Sequence, residues 1–334
     1  MMRRAAIIGA LALAASLVLP QVLRQHHIHV VFQVLLYAYL SYCWNILGGF
    51  AGQPSFGHAL FMATGAYTST ILLLNCGISP WLGMMAGGVA AVLIGLFIGY
   101  LSFRYGIKGT YFGLVTVAFT EIARIVALNV PAIGGALGLY IPIQNNDVWQ
   151  LKFVDKTYYY YVALGFLVIG LSVTAWLERN AIGHKLVAIR ENEDAAQALG
   201  INLMRYRLFA TGLSAFLTAL GGTLYAHYVT FIDPNTLLNL NVALEITIYS
   251  IVGGVGTLWG PLLGAVLLVP LAEFIRTALG QSYAGIHLVA YGAVLIAVIL
   301  FAPDGLMGFI RRLVAARLPV TATATRSDAG KVES

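Results

Sequence analysis

This sequence predicts an all-α, polytopic integral membrane protein. Three observations carry that prediction. Only 10% of its 334 residues are charged, against 60% hydrophobic. Mean hydropathy is +0.84. Apolar runs long enough to cross a bilayer as helices recur between short polar or glycine-rich breaks. A soluble domain carries about 25% charged residues, so a chain this poor in charge cannot coat a globule. Cys43 and Cys76 sit in or beside apolar runs without metal-ligand spacing. They imply neither a disulfide framework nor a metal site, and no cofactor is expected.

The runs follow in order. Residues 5–23 form an apolar run behind a basic start. It also resembles a signal peptide, but the run continues through residues 16–19 to Leu23, which favours a retained helix. A second run, residues 28–47, follows a turn with His26, His27 and His29. Residues 48–58, GGFAGQPSFGH, break the pattern: in a regular helix each glycine costs about 1 kcal/mol and the proline about 3. Irregular backbone at membrane depth is tolerated only under protein cover or beside water. The stretch is therefore a tight turn or a broken helix near a transport path, where Gln53, Ser55, Gly57 and His58 would meet a polar solute.

Further runs occupy residues 57–75, 81–103, 111–129, 158–178 and 208–231. Glu121 and Arg124 lie three apart on the 111–129 run, so they share a face and neutralise each other. An unpaired charge at mid-bilayer costs roughly 2.5–3.5 kcal/mol on insertion scales. A long glycine- and proline-containing loop spans residues 130–157. Residues 241–252 form a short run holding Glu245. A second glycine-rich break, GGVGTLWGPLLG (residues 253–264), contains Gly253 and Gly254. Residues 261–279, with Glu273 and Arg276 three apart, and residues 287–301 complete ten candidate spans in a membrane domain of residues 1–318. Residues 319–334 read as a disordered tail.

Charge sets the orientation. With ten spans and the amino terminus inside, 14 Lys and Arg fall on the cytoplasmic side, and Arg24, Lys152 and Lys156 fall outside. Arg124 and Arg276 lie within spans, which accounts for all 19. The net charge of +6 thus reflects bilayer asymmetry rather than nucleic-acid binding. The assignment puts both termini and the polar segment of residues 179–207 in the cytoplasm. Within that segment AIRENEDAAQALG (residues 188–200) packs Arg190, Glu191, Asn192, Glu193, Asp194 and Gln197 together, with Ala195, Ala196 and Leu199 along one side. It is either a short amphipathic helix offered to a partner or an ordinary solvated helix.

Enzyme signatures are missing. The chain has no G-x-x-x-x-G-K-[ST], H-E-x-x-H or G-x-S-x-G. His184 near Glu191 and Glu193 lacks the dry, shaped surroundings of acid–base chemistry. A channel, a carrier or a transport subunit remains. A stand-alone carrier would use Glu121, Glu245 and Glu273 as ion or proton sites.

Six stretches narrow this further: GGFAGQPSFGHALFMATGAY (48–67), GTYFGLVTVAFTEIAR (109–124), AIRENEDAAQALGIN (188–202), GGTLYA (221–226), GGVGTLWGPLLGA (253–265) and FAPDGLMG (301–308). In this order they resemble the permease subunits of ABC importers for branched-chain amino acids, the LivM-like branch, over residues 45–308. The resemblance implies a multi-pass protein of the bacterial inner membrane. Its expected partners are a second, related permease subunit, two ABC ATPase subunits and an extracytoplasmic binding protein. The expected substrates are branched-chain amino acids, although relatives take urea, short amides or other amino acids. It also implies a cytoplasmic coupling helix marked by an acidic residue, two alanines and a glycine, here Asp194, Ala195, Ala196 and Gly200. Asp stands where the family has Glu, and residues 201–207 depart from the pattern. On this reading the alanines seat in a groove on the ATPase, while Arg190, Glu191 and Glu193 set the register. Gln53, Ser55, Gly57, His58, Glu245, Gly253 and Gly254 are the candidates for the translocation path.

Overall fold

The computed structural model describes residues 25–142 and 147–279, with Pro20 and scattered positions between 289 and 308. The expected first span (5–23), most of the last (287–301) and the tail (319–334) lie outside the described residues. Within them, eight helices are long and apolar enough to cross a membrane. Helix α1 (Gln25–Trp44) runs on through a π-helical turn, Asn45–Phe50. Next come α2 (His58–Cys76), α3 (Pro80–Arg104), α4 (Thr110–Asn129) and α5 (Lys156–Arg179). Two short polar helices, α6 (Ala181–Glu191) and α7 (Glu193–Ala198), precede the long α8 (Leu203–Val229). The one-turn α9 (Pro234–Leu237) leads into α10 (Leu240–Gly254), and the two together make a single 21-residue span. Helix α11 (Gly260–Leu279) follows.

Two spans organise the bundle. In the apolar 18-residue window of His27–Phe50, 78% is buried, and 72% in that of Leu203–Val229, against only 28% in that of Thr110–Asn129. Helix α1 packs on α5, α8, α10 and α11, while α8 packs on α2 and α3. Small residues make the tightest crossing possible. A Cβ on Gly65 of α2 would lie 2.0 Å from the Ala219 carbonyl oxygen of α8, and one on Gly222 would lie 1.9 Å from that of Met62. The two backbones touch there.

At the end of the bundle away from α6 and α7, the 130–157 loop is anchored rather than free. Its strand β1 (Leu139–Tyr140) pairs antiparallel with β2 (Phe231–Ile232). Trp81 Nε1 donates to the Val148 carbonyl (2.9 Å), and Tyr159 Oη donates to that of Leu151 (2.9 Å).

Several expected boundaries move. The first glycine-rich break begins only after Phe50, because the π-helical turn absorbs Gly48 and Gly49. In the second break only residues 255–259 leave the helix, since Gly253 and Gly254 end α10 and Gly260 starts α11. The polar segment is two helices, not a single short one over residues 188–200. Asn192 is extended (φ −156°, ψ 109°), and its side chain accepts from the Ala195 N–H, which ends α6 and caps α7.

Candidate coupling site

Helices α6 and α7 lie at the end of the bundle where Arg104, Lys108, Arg179, Lys185, Arg205 and Arg207 also sit. Three asparagines set their geometry. Asn180, Asn192 and Asn202 cap α6, α7 and α8 through side-chain oxygens, and such caps contribute about 1 kcal/mol each. Gly200 ends α7 with φ +80°. The Gly200 N–H donates to the Gln197 carbonyl and that of Ile201 to the Ala196 carbonyl. This is a left-handed helix stop that an L-residue adopts at a cost.

Arg190, the penultimate residue of α6, reaches back into the membrane domain. Its Nη1 donates to the Gly49 carbonyl at 2.8 Å, while Nη2 and Nε donate to Glu191 Oε1 at 2.6 and 3.1 Å. The side chain runs between the two breaks. A Cβ on Gly52 (φ +64°) would lie 2.5 Å from Arg190 Cγ, and one on Gly256 (φ +71°) would lie 2.6 Å from Nη1. Glycine is required on both walls for steric and conformational reasons.

The breaks also hold each other. The fully buried Asn45 donates to the Thr257 carbonyl (3.2 Å) and accepts from the Gly256 N–H (2.7 Å). Tyr42 Oη donates to the Leu258 carbonyl (2.8 Å). A Cβ on Gly49 would lie 2.8 Å from Gly256 N.

Glu193 ties a second set of elements together. Lys108, on the turn between α3 and α4, donates to Oε2 at 2.8 Å, and Arg207 of α8 pairs with Oε1. Arg207 is buried and lies over the Phe103 ring, 5.6 Å from its centroid. Partial burial pushes the Glu193 carboxyl up, but the two cations outweigh it and hold it below the usual carboxylate value.

The alanines part company. Ala195 and Asp194 are exposed, but Ala196 is 2% exposed, packed inside this chain. Ala196 is therefore turned into this chain, not outward as expected of an alanine that seats in a partner's groove. Leu199, by contrast, is 81% exposed. It stands beside a shallow groove of about 380 Å³ lined by Gln197, Gly200, Ile201, Asn202, Leu203 and Met204.

The path candidates cluster with the breaks. Gln53, Ser55, Gly57 and His58 are buried, and each makes a polar contact within the chain, although His58 Nδ1 has no hydrogen-bond partner. Gln53 Oε1 accepts from the Gly109 N–H (2.9 Å), Ser55 Oγ from the Gly57 N–H (3.1 Å), and His58 Nε2 meets Ser214 Oγ at 2.9 Å. Gly253 and Gly254 are buried at the end of α10. Glu245, half-buried on α10, is apart from them and hydrogen-bonds with Tyr37. Of the other carboxylates offered as carrier sites, Glu121 pairs with Arg124 (2.5 Å) and Glu273 with Arg276 (2.6 Å), each one turn away. Asn45, Lys108 and Arg207 were missed as parts of the site. Their signal was weak: one amide before a glycine pair, and two cations in segments already counted as basic.

A bundle of apolar spans, with charged helices gathered at one end and wired to two buried helix breaks, defines a multi-pass membrane permease. The family described as "Branched-chain amino acid transport system / permease component" matches residues 27–302, and the chain belongs to that family. It is 26% identical to the high-affinity branched-chain amino acid transport system permease protein LivM of Salmonella typhimurium over 87% of this chain and 72% of that protein. It is 30% identical to a probable branched-chain amino acid transport permease, LivH, of Methanocaldococcus jannaschii over 76% of this chain and 83% of that protein. An autoinducer 2 import system permease protein, LsrC, of Klebsiella pneumoniae is 29% identical over 61% of this chain and 64% of that protein, so related permeases serve other solutes. No solved structure matches the chain.

Proposed function

We propose that the chain is half of the membrane pathway of an ATP-driven importer for branched-chain amino acids. It pairs with a related permease subunit, docks one of the importer's two ATPase subunits on its α6–α7 end and receives solute from an extracytoplasmic binding protein at the opposite end. The basic residues around α6 and α7 support a cytoplasmic location for that end, with both termini on the same side. The exposed Ala195, Leu199 and Asp194 offer the ATPase a small apolar contact with an acidic rim.

One observation carries the coupling mechanism: the Arg190 side chain lies between both helix breaks, and its guanidinium is hydrogen-bonded to the π-helical turn that leads into the first of them. Movement of α6–α7 is then movement of Arg190, and the breaks either keep or lose the strut that holds them together. A rigid element with differential contacts in two states is what force transmission requires. The buried Gln53, Ser55, Gly57, His58, Gly253 and Gly254 belong to the closed seam that this movement opens.

The test is Arg190→Ala in the assembled complex, reconstituted in vesicles with the binding protein. ATP hydrolysis should persist while ATP-driven leucine uptake falls at least tenfold. Uptake that stays tied to hydrolysis at the unaltered ratio would sink the mechanism. Uptake by the permease alone, following an ion gradient, would sink the importer reading as a whole.

A further inference from the structure

Helix α4 is the least buried of the eight spans among the described residues, yet it carries a charged pair on its uncovered side. Leu114, Ala118, Glu121, Ile122 and Ile125 recur at helical spacing on one face, and all are exposed. The Glu121 side chain is 52% exposed. Its carboxylate binds Arg124 through both oxygens, at 2.9 Å to Nε and 2.5 Å to Nη2, and Arg124 Nη1 donates to Asn235 Oδ1 of α9 at 2.8 Å. Glu121 lies about 16 Å along a helix about 30 Å long. It is therefore well inside the apolar span, in the half away from α6 and α7. Lipid strongly disfavours a charged pair at that depth, so such residues face water or another protein element.

We propose that this face of α4 lines the water-filled route, and that Glu121 and Arg124, steadied by Asn235, form a passing station for an α-amino acid zwitterion. The inference rests on the importer reading above and deepens it. The guanidinium takes the solute carboxylate and the carboxylate takes the ammonium group, while Leu114, Ala118, Ile122 and Ile125 meet an aliphatic side chain. The two groups already neutralise each other, so the solute competes with an existing pair and is held weakly. Weak holding suits a point of passage, where binding must permit departure.

Two measurements on the complex with its second permease and ATPases test this. In a Cys76→Ser background, Ala118→Cys should react with a charged, membrane-impermeant thiol reagent and be protected by leucine delivered by the binding protein. No reaction, or reaction that leucine does not slow, overturns the station. Separately, Glu121→Gln and Arg124→Gln should each lower leucine uptake at least tenfold, with binding-protein-stimulated ATP hydrolysis within twofold and both permease subunits still co-purifying. Unchanged uptake overturns the station, as does loss of the second subunit, which would make the pair a subunit clamp. Failure of the unaltered complex to take up leucine with ATP overturns the importer reading instead.

Discussion

Arg190 Nη1 donates to the carbonyl oxygen of Gly49 across 2.8 Å, joining residues 141 positions apart in the chain. One partner is on a polar helix outside the apolar spans, and the other is in the π-helical turn at the end of the most buried span among the described residues. Gly49 lies in the last turn of that helical segment, where carbonyls lack intrahelical donors, and its carbonyl receives the guanidinium.

The glycine walls make the contact testable from the other side. Gly52→Ala places a methyl against Arg190 Cγ and strains a backbone at φ +64°, a conformation that costs an L-residue about 1–2 kcal/mol. The variant should insert and co-purify with its partners but lose most leucine uptake. Combined with Arg190→Ala, it should be scarcely worse than either change alone, because both remove the same strut. Additive losses in log uptake would mean that Gly52 and Arg190 act independently.

Ala196 and Leu199 separate folding from docking. Ala196→Glu places a carboxylate where the side chain is only 2% exposed and should cost several kcal/mol, read as loss of detergent-extractable folded protein. Leu199→Glu lies on an open surface and should leave the melting temperature within about 2 °C, a shift expected of a neutral surface change. The same variant should weaken ATPase co-purification. Normal folding of the Ala196 variant would contradict its burial, and full ATPase retention by the Leu199 variant would remove it from the contact.

The fold was readable from the sequence wherever burial is a matter of bulk hydropathy. Runs such as 81–103 and 158–178 differ from α3 and α5 only at the ends. The misjudged places are those where one polar atom decides. Asn192 splits the polar segment because its side chain offers the Ala195 N–H a local partner, an effect that helical periodicity does not register. The glycines around residues 48–58 and 253–264 were visible as breaks. That they pack on each other through Asn45 depends on contacts over 200 positions distant in sequence, which no local pattern encodes. Ala195 and Ala196 were indistinguishable as letters, and only tertiary packing assigns one outward and one inward.

Gly200 should tolerate side chains better than Gly52. Both have positive φ, but a Cβ at Gly200 would meet nothing within 4 Å. Gly200→Ala therefore suffers only the conformational penalty of about 1 kcal/mol, and Gly200→Asn less, since asparagine enters the left-handed region more readily. The melting order should run from glycine through asparagine to alanine. A loss much larger than that, without loss of ATPase binding, would show that the end of α7 is tighter than its open surroundings imply.

Glu193 supplies a pH signature. Its folded value is held below that of the unfolded chain by Lys108 and Arg207 against the effect of burial. The stabilisation is therefore complete above the unfolded carboxylate value, about 4.3. It disappears as pH falls through the lower folded value, because the unfolded state then binds the proton more readily. Glu193→Gln leaves the buried Arg207 without its counter-charge, for which removal of one partner costs about 3 kcal/mol when the pair is largely buried. Glu193 sits nearer the rim than Arg207, which places the loss at or below that figure. In thermal melts of the detergent-solubilised complex from pH 7 downward, the unaltered protein should outlast the Gln variant at neutral pH, and the gap should close below about pH 4. A gap that persists unchanged at low pH would assign the loss to shape rather than charge. No gap at pH 7 would mean that Lys108 and Arg207 are held by something other than this carboxylate.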